Sequence, residues 1–207
     1  MRKCFFLLLI MAACTIANAQ DYKKSPTFGI HLILNDFKTA AQIRSDGLAN
    51  VLNSKQWSNT KRMVAGLGVS YINGINEHVD YAISLSGSYV DYPIPNSVSD
   101  GQQNLLLEAV ATANLKLISD KYIVVPFLTG GIGASKYKGY YGALIPIGVG
   151  LQIKVIEGTY ILLNSQYRIP ASNTTVAYHF YHSFGVGVSF KKKSAEPAAE
   201  VTLPSGS

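Results

Sequence analysis

At 207 residues the chain is long enough for one domain. Charged residues make up only 14% of it, against roughly 25% in ordinary soluble domains. The net charge of +6 is too mild an excess to point to nucleic acid.

Residues 1–19 read as a secretory signal peptide. Arg2 and Lys3 form the basic start, Cys4 to Ile16 the apolar core, and Ala17-Asn18-Ala19 a small-x-small cleavage site, so the mature chain is expected to begin at Gln20. Met11-Ala12-Ala13-Cys14 resembles a lipoprotein cleavage box, with Cys14 as the lipidated residue. Met fits that box poorly, and the Ala17–Ala19 site is the better placed. Both cysteines fall inside the leader, so the exported chain would use no disulfides. Losing Arg2 and Lys3 leaves 16 basic residues against 12 acidic, a net of about +4. Export argues against a nucleic-acid partner, and the residual charge suits anionic lipid only loosely. No stretch of the chain reaches the roughly 20 apolar residues of a membrane helix. A membrane protein without such a helix must be a barrel, the other structure that satisfies every backbone polar group in lipid.

After a short N-terminal segment, 20–26, the sequence alternates with a period of two, which places successive side chains on opposite faces of a strand. Phe28, Ile30, Leu32 and Leu34 oppose Gly29, His31 and Asn35; Ala65, Leu67, Val69 and Tyr71 oppose Gly66, Gly68 and Ser70. Val79, Tyr81, Ile83, Leu85 and Tyr89 oppose Asp80, Ala82, Ser84, Ser86 and Ser88. The run from Leu105 to Leu117 sets Leu and Ala against Glu108, Thr112, Asn114 and Lys116. Val124, Pro126, Leu128, Ile132 and Ala134 oppose Thr129, Gly131, Gly133 and Ser135; Ala143 to Ile153 oppose Gly142, Gly148, Gly150, Gln152 and Lys154. Ile161, Leu163, Tyr167 and Ile169 face away from Asn164, Gln166 and Arg168. Last, Tyr178, Phe180, Phe184, Val186, Val188 and Phe190 oppose His179, Tyr181, Ser183, Gly185, Gly187 and Ser189.

Eight strands result. Short turns at 73–76, 119–121 and 157–158 alternate with longer links near 38–62, 92–103, 136–140 and 170–177. Short inner turns and longer outer loops are the usual asymmetry of outer-membrane barrels. Residues 191–207 lose all periodicity and read as a flexible periplasmic tail.

A soluble barrel of this size turns its large apolar side chains inward and its charges outward. The non-apolar face here is mostly Gly, Ser, Ala, Thr and Asn, a poor coat for water but a good filling for a narrow lumen. The greasy face is therefore expected to meet lipid. Several of the 13 tyrosines, Tyr71, Tyr89, Tyr122, Tyr137, Tyr167 and Tyr178, lie at strand ends, where interfacial rings form a girdle. The expected fold is an all-β, transmembrane, up-and-down antiparallel barrel of eight strands over 27–190, in the cell outer membrane.

The closing segment Ser183-Phe184-Gly185-Val186-Gly187-Val188-Ser189-Phe190 resembles the terminal assembly signal of outer-membrane proteins. That resemblance assigns Gly185, Val188 and Phe190 to recognition by the barrel assembly machinery. Val188 departs from it, because an aromatic is commoner there. With FGIHLILNDF, EAVATANLKLISDKY and PFLTGGIGASKY, the chain from 27 to 190 resembles the small eight-stranded outer-membrane barrel family of the OmpA and OmpX type. Many relatives carry a peptidoglycan-binding domain after the barrel, and the 17 residues beyond Phe190 do not match one.

Inward charges need partners. Tracing the strands puts Asp80, Lys116 and Lys154 near the periplasmic end and Glu108 and Arg168 nearer the outer end, predicting the ion pairs Asp80–Lys116 and Glu108–Arg168. A lumen of eight strands is just wide enough for side chains to fill it, which favours a plug over a gated ion path. The run Gly130 to Lys136 lacks the Gly-Lys-Ser/Thr ending of a phosphate loop and sits within a strand. His182 and Ser165 both face lipid near the outer leaflet and would approach diagonally, with Ser165 opposite Tyr181. A His–Ser pair would suit a lipid-modifying hydrolase, as in the lipid A deacylases, but no acid orients the histidine. The first outer loop, with helical character from Thr39 to Leu52, carries Lys38, Arg44, Lys55, Lys61 and Arg62 around Trp57, a set that could contact lipopolysaccharide phosphates. The reading is a non-enzymatic, monomeric barrel with a structural or surface-interaction role, without cofactor or metal. Its partners are outer-membrane lipid and lipopolysaccharide. A narrow channel is the alternative.

Overall fold

The computed structural model describes residues 23–54, 59–93, 101–171 and 175–190. The leader, Cys14, the cleavage site, Lys55, Trp57 and the tail 191–207 lie outside the described residues.

Eight strands close into one antiparallel barrel in strict chain order: β1 (Thr27–Asp36), β2 (Val64–Gly74), β3 (Val79–Val90), β4 (Asn104–Lys116), β5 (Val124–Tyr137), β6 (Tyr140–Ile156), β7 (Thr159–Pro170) and β8 (His179–Ser189). β8 pairs back onto β1, Thr27 opposite Ser189 and Asp36 opposite Phe180, so the sheet has no free edge. No described helix is long and apolar enough to cross a membrane, which says nothing about a barrel. In the first outer connection α1 (Phe37–Asp46) and α2 (Leu48–Asn53) are separated by Gly47 at φ 82°. Asp36 caps α1, its carboxylate accepting from Thr39 N at 2.8 Å.

The inner turns are tight. Asn76 Oδ1 accepts from the backbone N of His78 and Val79 at 2.8 and 2.7 Å, which folds the β2–β3 turn on itself. The link expected to be longer at 136–140 is instead a tight turn at Lys138-Gly139, with Lys138 at φ 52°. Tyr137 and Tyr140 pair across it, so β5 and β6 run on where a loop was expected.

The alternation puts the large apolar residues outside. Ile132 is 71% exposed, Leu67 67% and Ile30 62%, although a folded chain in water would bury them. They form a belt around every strand, which is the surface a bilayer covers. The core lies inside the barrel, and it is less uniformly small and polar than the alternation suggested. Phe37, Val90, Tyr92, Leu106 and Tyr137 cluster at the outer end, Val110, Leu144 and Val176 below them, and Ile72, Ala82 and Leu162 lower still. Tyr137 thus leaves the expected girdle. It shares the inward parity of Thr129 and Ser135 and is 3% exposed. Phe127 reaches into the lumen because its cross-strand neighbour is Gly150, where a Cβ would lie 2.1 Å from the ring.

Candidate functional site

Among the described residues the lumen holds nearly all the buried charge, and it is arranged in two layers. At the inner end Lys116, on β4, reaches Asp80 on β3 at 2.8 Å and also pairs with Asp120 in the following turn. Gln152, on β6, donates to Asp120 at 3.1 Å and accepts from Lys24. Lys24 precedes the first strand and carried no sequence signal. Its carbonyl accepts from Gly74 N at 3.1 Å, and its ammonium lies 3.9 Å from Asp80 and 4.6 Å from the centre of the Tyr160 ring. Two lysines against two aspartates leave this layer without net charge, as burial requires.

Lys154, expected here, stands elsewhere. It has the inward parity, but β6 runs past the barrel rim and shifts register between Lys154 and Ile156, so the side chain is exposed. Lys24 occupies the inner end instead.

Burial is the main cause that pulls the Lys24 ammonium down to about 8, against the opposing pull of Asp80 and Asp120. The unfolded chain would hold that proton up to its ordinary 10.5. Between about 8 and 10.5 the unfolded state binds more protons, so Lys24 makes stability rise with pH through that window. A 15N titration of the lysine ζ nitrogens is expected to show one resonance with a midpoint near 8. A midpoint at the ordinary value would mean that Lys24 lies outside the lumen.

The outer layer joins β4, β7 and β8. Arg168 Nη1 pairs with Glu108 Oε2, and its guanidinium lies 3.6 Å over the ring of Tyr181. His179 Nε2 faces the other carboxylate oxygen at 3.3 Å, while Nδ1 donates to the Ala177 carbonyl at 3.0 Å. Above this layer sits an aromatic lid drawn from separate outer connections. Phe37 lies 4.6 Å from the His179 ring at a 32° tilt and meets Tyr92 edge-on at 5.2 Å; Tyr92 lies 5.1 Å from Tyr137. Tyr92 OH accepts from Ala177 N at 2.7 Å, and Tyr137 OH donates to the Val90 carbonyl at 3.1 Å. Phe37, the first residue of α1, and Tyr92 lie in the outer connections and carried no periodic signal; parity was available for Tyr137.

Between the layers lies a cavity of about 50 Å³, lined among others by His31, Ser70, Asn114, Gln152, Asn164 and Gln166. His31 Nε2 bonds Ser70 Oγ at 2.7 Å, while His31 Nδ1, Asn164 Oδ1 and Gln166 Oε1 are buried with no partner among the described residues. A polar space of that size has room for a few water molecules. Among the described residues no three His, Cys, Asp or Glu side chains gather as a metal site would need.

On the lipid face Ser165 pairs directly with His182, not with Tyr181, and their Oγ and Nδ1 atoms are 2.9 Å apart. The register is one residue from the expected one. Among the described residues no carboxylate hydrogen-bonds the ring. Lys38 and Lys61 are exposed at the outer end. Arg62 donates to Gln42 at 3.2 Å, and Arg44 lies 3.9 Å over the Tyr178 ring. At the closing strand Gly185 faces the lumen, where a Cβ would sit 2.2 Å from His31 Nδ1; Val188 and Phe190 point outward, and Phe190 N donates to the Pro26 carbonyl at 2.8 Å.

No protein-family model matches the chain, and no curated protein matches it in sequence. Solved structures do. The N-terminal β-barrel domain of Pseudomonas aeruginosa OprF aligns with a TM-score of 0.52 at 11% identity, over 81% of this chain and 99% of that one. Neisserial surface protein A aligns with a TM-score of 0.52 at 13% identity, over 81% and 99%. Identity so low carries the fold alone, and that fold agrees with the closed chain-order barrel and its apolar belt. The chain has the fold of the small eight-stranded outer-membrane barrels of the OmpA and OmpX type.

Proposed function

We propose that the protein is a non-enzymatic outer-membrane barrel with a structural and surface-interaction role, its lumen plugged and its outer connections forming the working face. The observation that carries this is the filled lumen: a charged layer at the inner end, a second beneath an aromatic lid at the outer end. Forces that hold a barrel shut in this way serve stability rather than passage. The neighbour named as a surface protein points the same way. We assign lipopolysaccharide contact to Lys38, Arg44, Lys55, Lys61 and Arg62; the exposure of Lys38, Arg44 and Lys61 supports this, and Lys55 lies outside the described residues. We assign Gly185, Val188 and Phe190 to the barrel assembly machinery, and the barrel to a monomer.

A narrow channel is the second reading, favoured by the polar cavity between the two layers. A hydrolase is less favoured, because the Ser165–His182 pair has no orienting carboxylate and strand amides around it are engaged in the ladder. Planar-bilayer recording separates the first two. The plugged barrel is expected to give no conductance steps above background, and steady single-channel steps would replace it with the channel.

A further inference from the structure

The geometry points to a built docking face for a phosphorylated glycolipid of the outer leaflet, formed by Arg44 of α1 and the outward face of β7 and β8. This deepens the surface-interaction reading and rests on it.

The residues form one continuous file. The guanidinium of Arg44, exposed in the last turn of α1, lies 3.9 Å over the Tyr178 ring. Tyr178 lies 5.9 Å from Tyr167 at 30° between planes, and Tyr167 lies 4.9 Å from Phe180. Phe180 stacks on His182 at 6.0 Å and 8°, and His182 bonds Ser165. Below them the same face continues into Phe184, Val186 and Val188, all exposed.

Order along the file is what identifies the occupant. From the outer rim toward the bilayer it runs cation, tandem tyrosines, a hydroxyl–imidazole pair, then hydrocarbon. A phosphorylated glycolipid carries its groups in that order: phosphate, a sugar ring with an apolar C–H face, polar linkage, acyl chain. A guanidinium stacked on a ring keeps its edge N–H donors free to take phosphate oxygens in a fork. Paired tyrosines, apolar on the face and polar at the tip, offer a sugar ring a platform at headgroup depth. A phosphoglycerol headgroup is acyclic and has no ring C–H face to lay on it. The site also spans two elements, because α1 packs against β8 and sets Arg44 above the strand. Basic residues of a solvated loop would not require that docking.

The test uses the mature full chain, purified in detergent, with diphosphoryl lipid A as the probe and bound lipid read by native mass spectrometry. Arg44→Gln is expected to weaken binding about ten-fold, the size of one charge-assisted contact, and Tyr178→Leu by about as much, because it removes both the ring platform and the face that Arg44 rests on. Tyr178→Phe is expected to stay within about two-fold, since it keeps the ring face. Lys136→Gln, outside the file, serves as the control. Enzymatically dephosphorylated lipid A and phosphatidylglycerol should both bind the parent as weakly as the Arg44→Gln variant binds diphosphoryl lipid A. Parent-like affinity in Arg44→Gln and Tyr178→Leu overturns the proposal. So does phosphatidylglycerol that binds as well as lipid A, which would leave a merely anionic lipid surface, and so does competition by inorganic phosphate alone. A heat-dependent gel shift in phospholipid vesicles is read on the same preparations: loss of that shift in the parent would instead sink the barrel reading, whatever the lipid affinities.

Discussion

Replacing Arg168 by methionine should destabilise the folded barrel by roughly 3–5 kcal/mol, because it leaves the Glu108 carboxylate buried without its main counter-charge. Arg168 is 1% exposed and Glu108 2%, so water cannot take over the lost contact. His179, at 3.3 Å from the carboxylate, offers only one imidazole where a guanidinium stood. The double variant Glu108→Leu/Arg168→Met removes both charges and should return to within about 1 kcal/mol of the parent. Urea unfolding in phospholipid vesicles measures both. Equal losses in the single and double variants would show that the outer layer matters for its packing and not for its charge.

The second large effect tests the direction of the barrel wall. Ile132, on β5, is 71% exposed in the belt. Ile132→Arg should cost roughly 2–4 kcal/mol if that position lies near the bilayer midplane, and Tyr122→Arg at the inner rim no more than about 1 kcal/mol. On a water-facing surface both would fall within about 0.5 kcal/mol. A depth-dependent penalty is peculiar to lipid, so two indistinguishable unfolding midpoints would remove the membrane from the account.

Much of this architecture follows from alternation alone. Parity fixes which way each strand side chain points, and up-and-down tracing fixes its height, so Asp80 and Lys116 could be set at one level and Glu108 and Arg168 at another. Tyr137 was readable by the same rule, because it continues Thr129-Gly131-Gly133-Ser135; its position at a strand end hid this. Lys154 shows the limit of parity. A side chain can have the inward phase and still lie beyond the wall when its strand overshoots the rim. Lys24, Phe37 and Tyr92 were beyond reach for another reason. They sit in segments without a repeating pattern, and only their long-range contacts place them: Lys24 reaches Gln152 across 128 residues of sequence. The Ser165–His182 contact was visible as a face, and it was misplaced by one residue because the length of the outer connection does not set its register.

The seam between the first and last strands has a consequence for how the protein forms. Thr27 and Ser189 hydrogen-bond at 2.7 Å across a separation of 162 residues. The other seven strand pairs are hairpin neighbours and can zip locally, whereas this one pays the loop-closure entropy of the whole chain. Until it forms, β1 and β8 both present unpaired edges open to intermolecular pairing. Lys24 and Pro26 are tied to the β2–β3 turn and to Phe190, so the inner layer cannot finish assembling before the ring does. Closure and core formation are therefore one cooperative event, and the slow step in folding should be the meeting of the two ends.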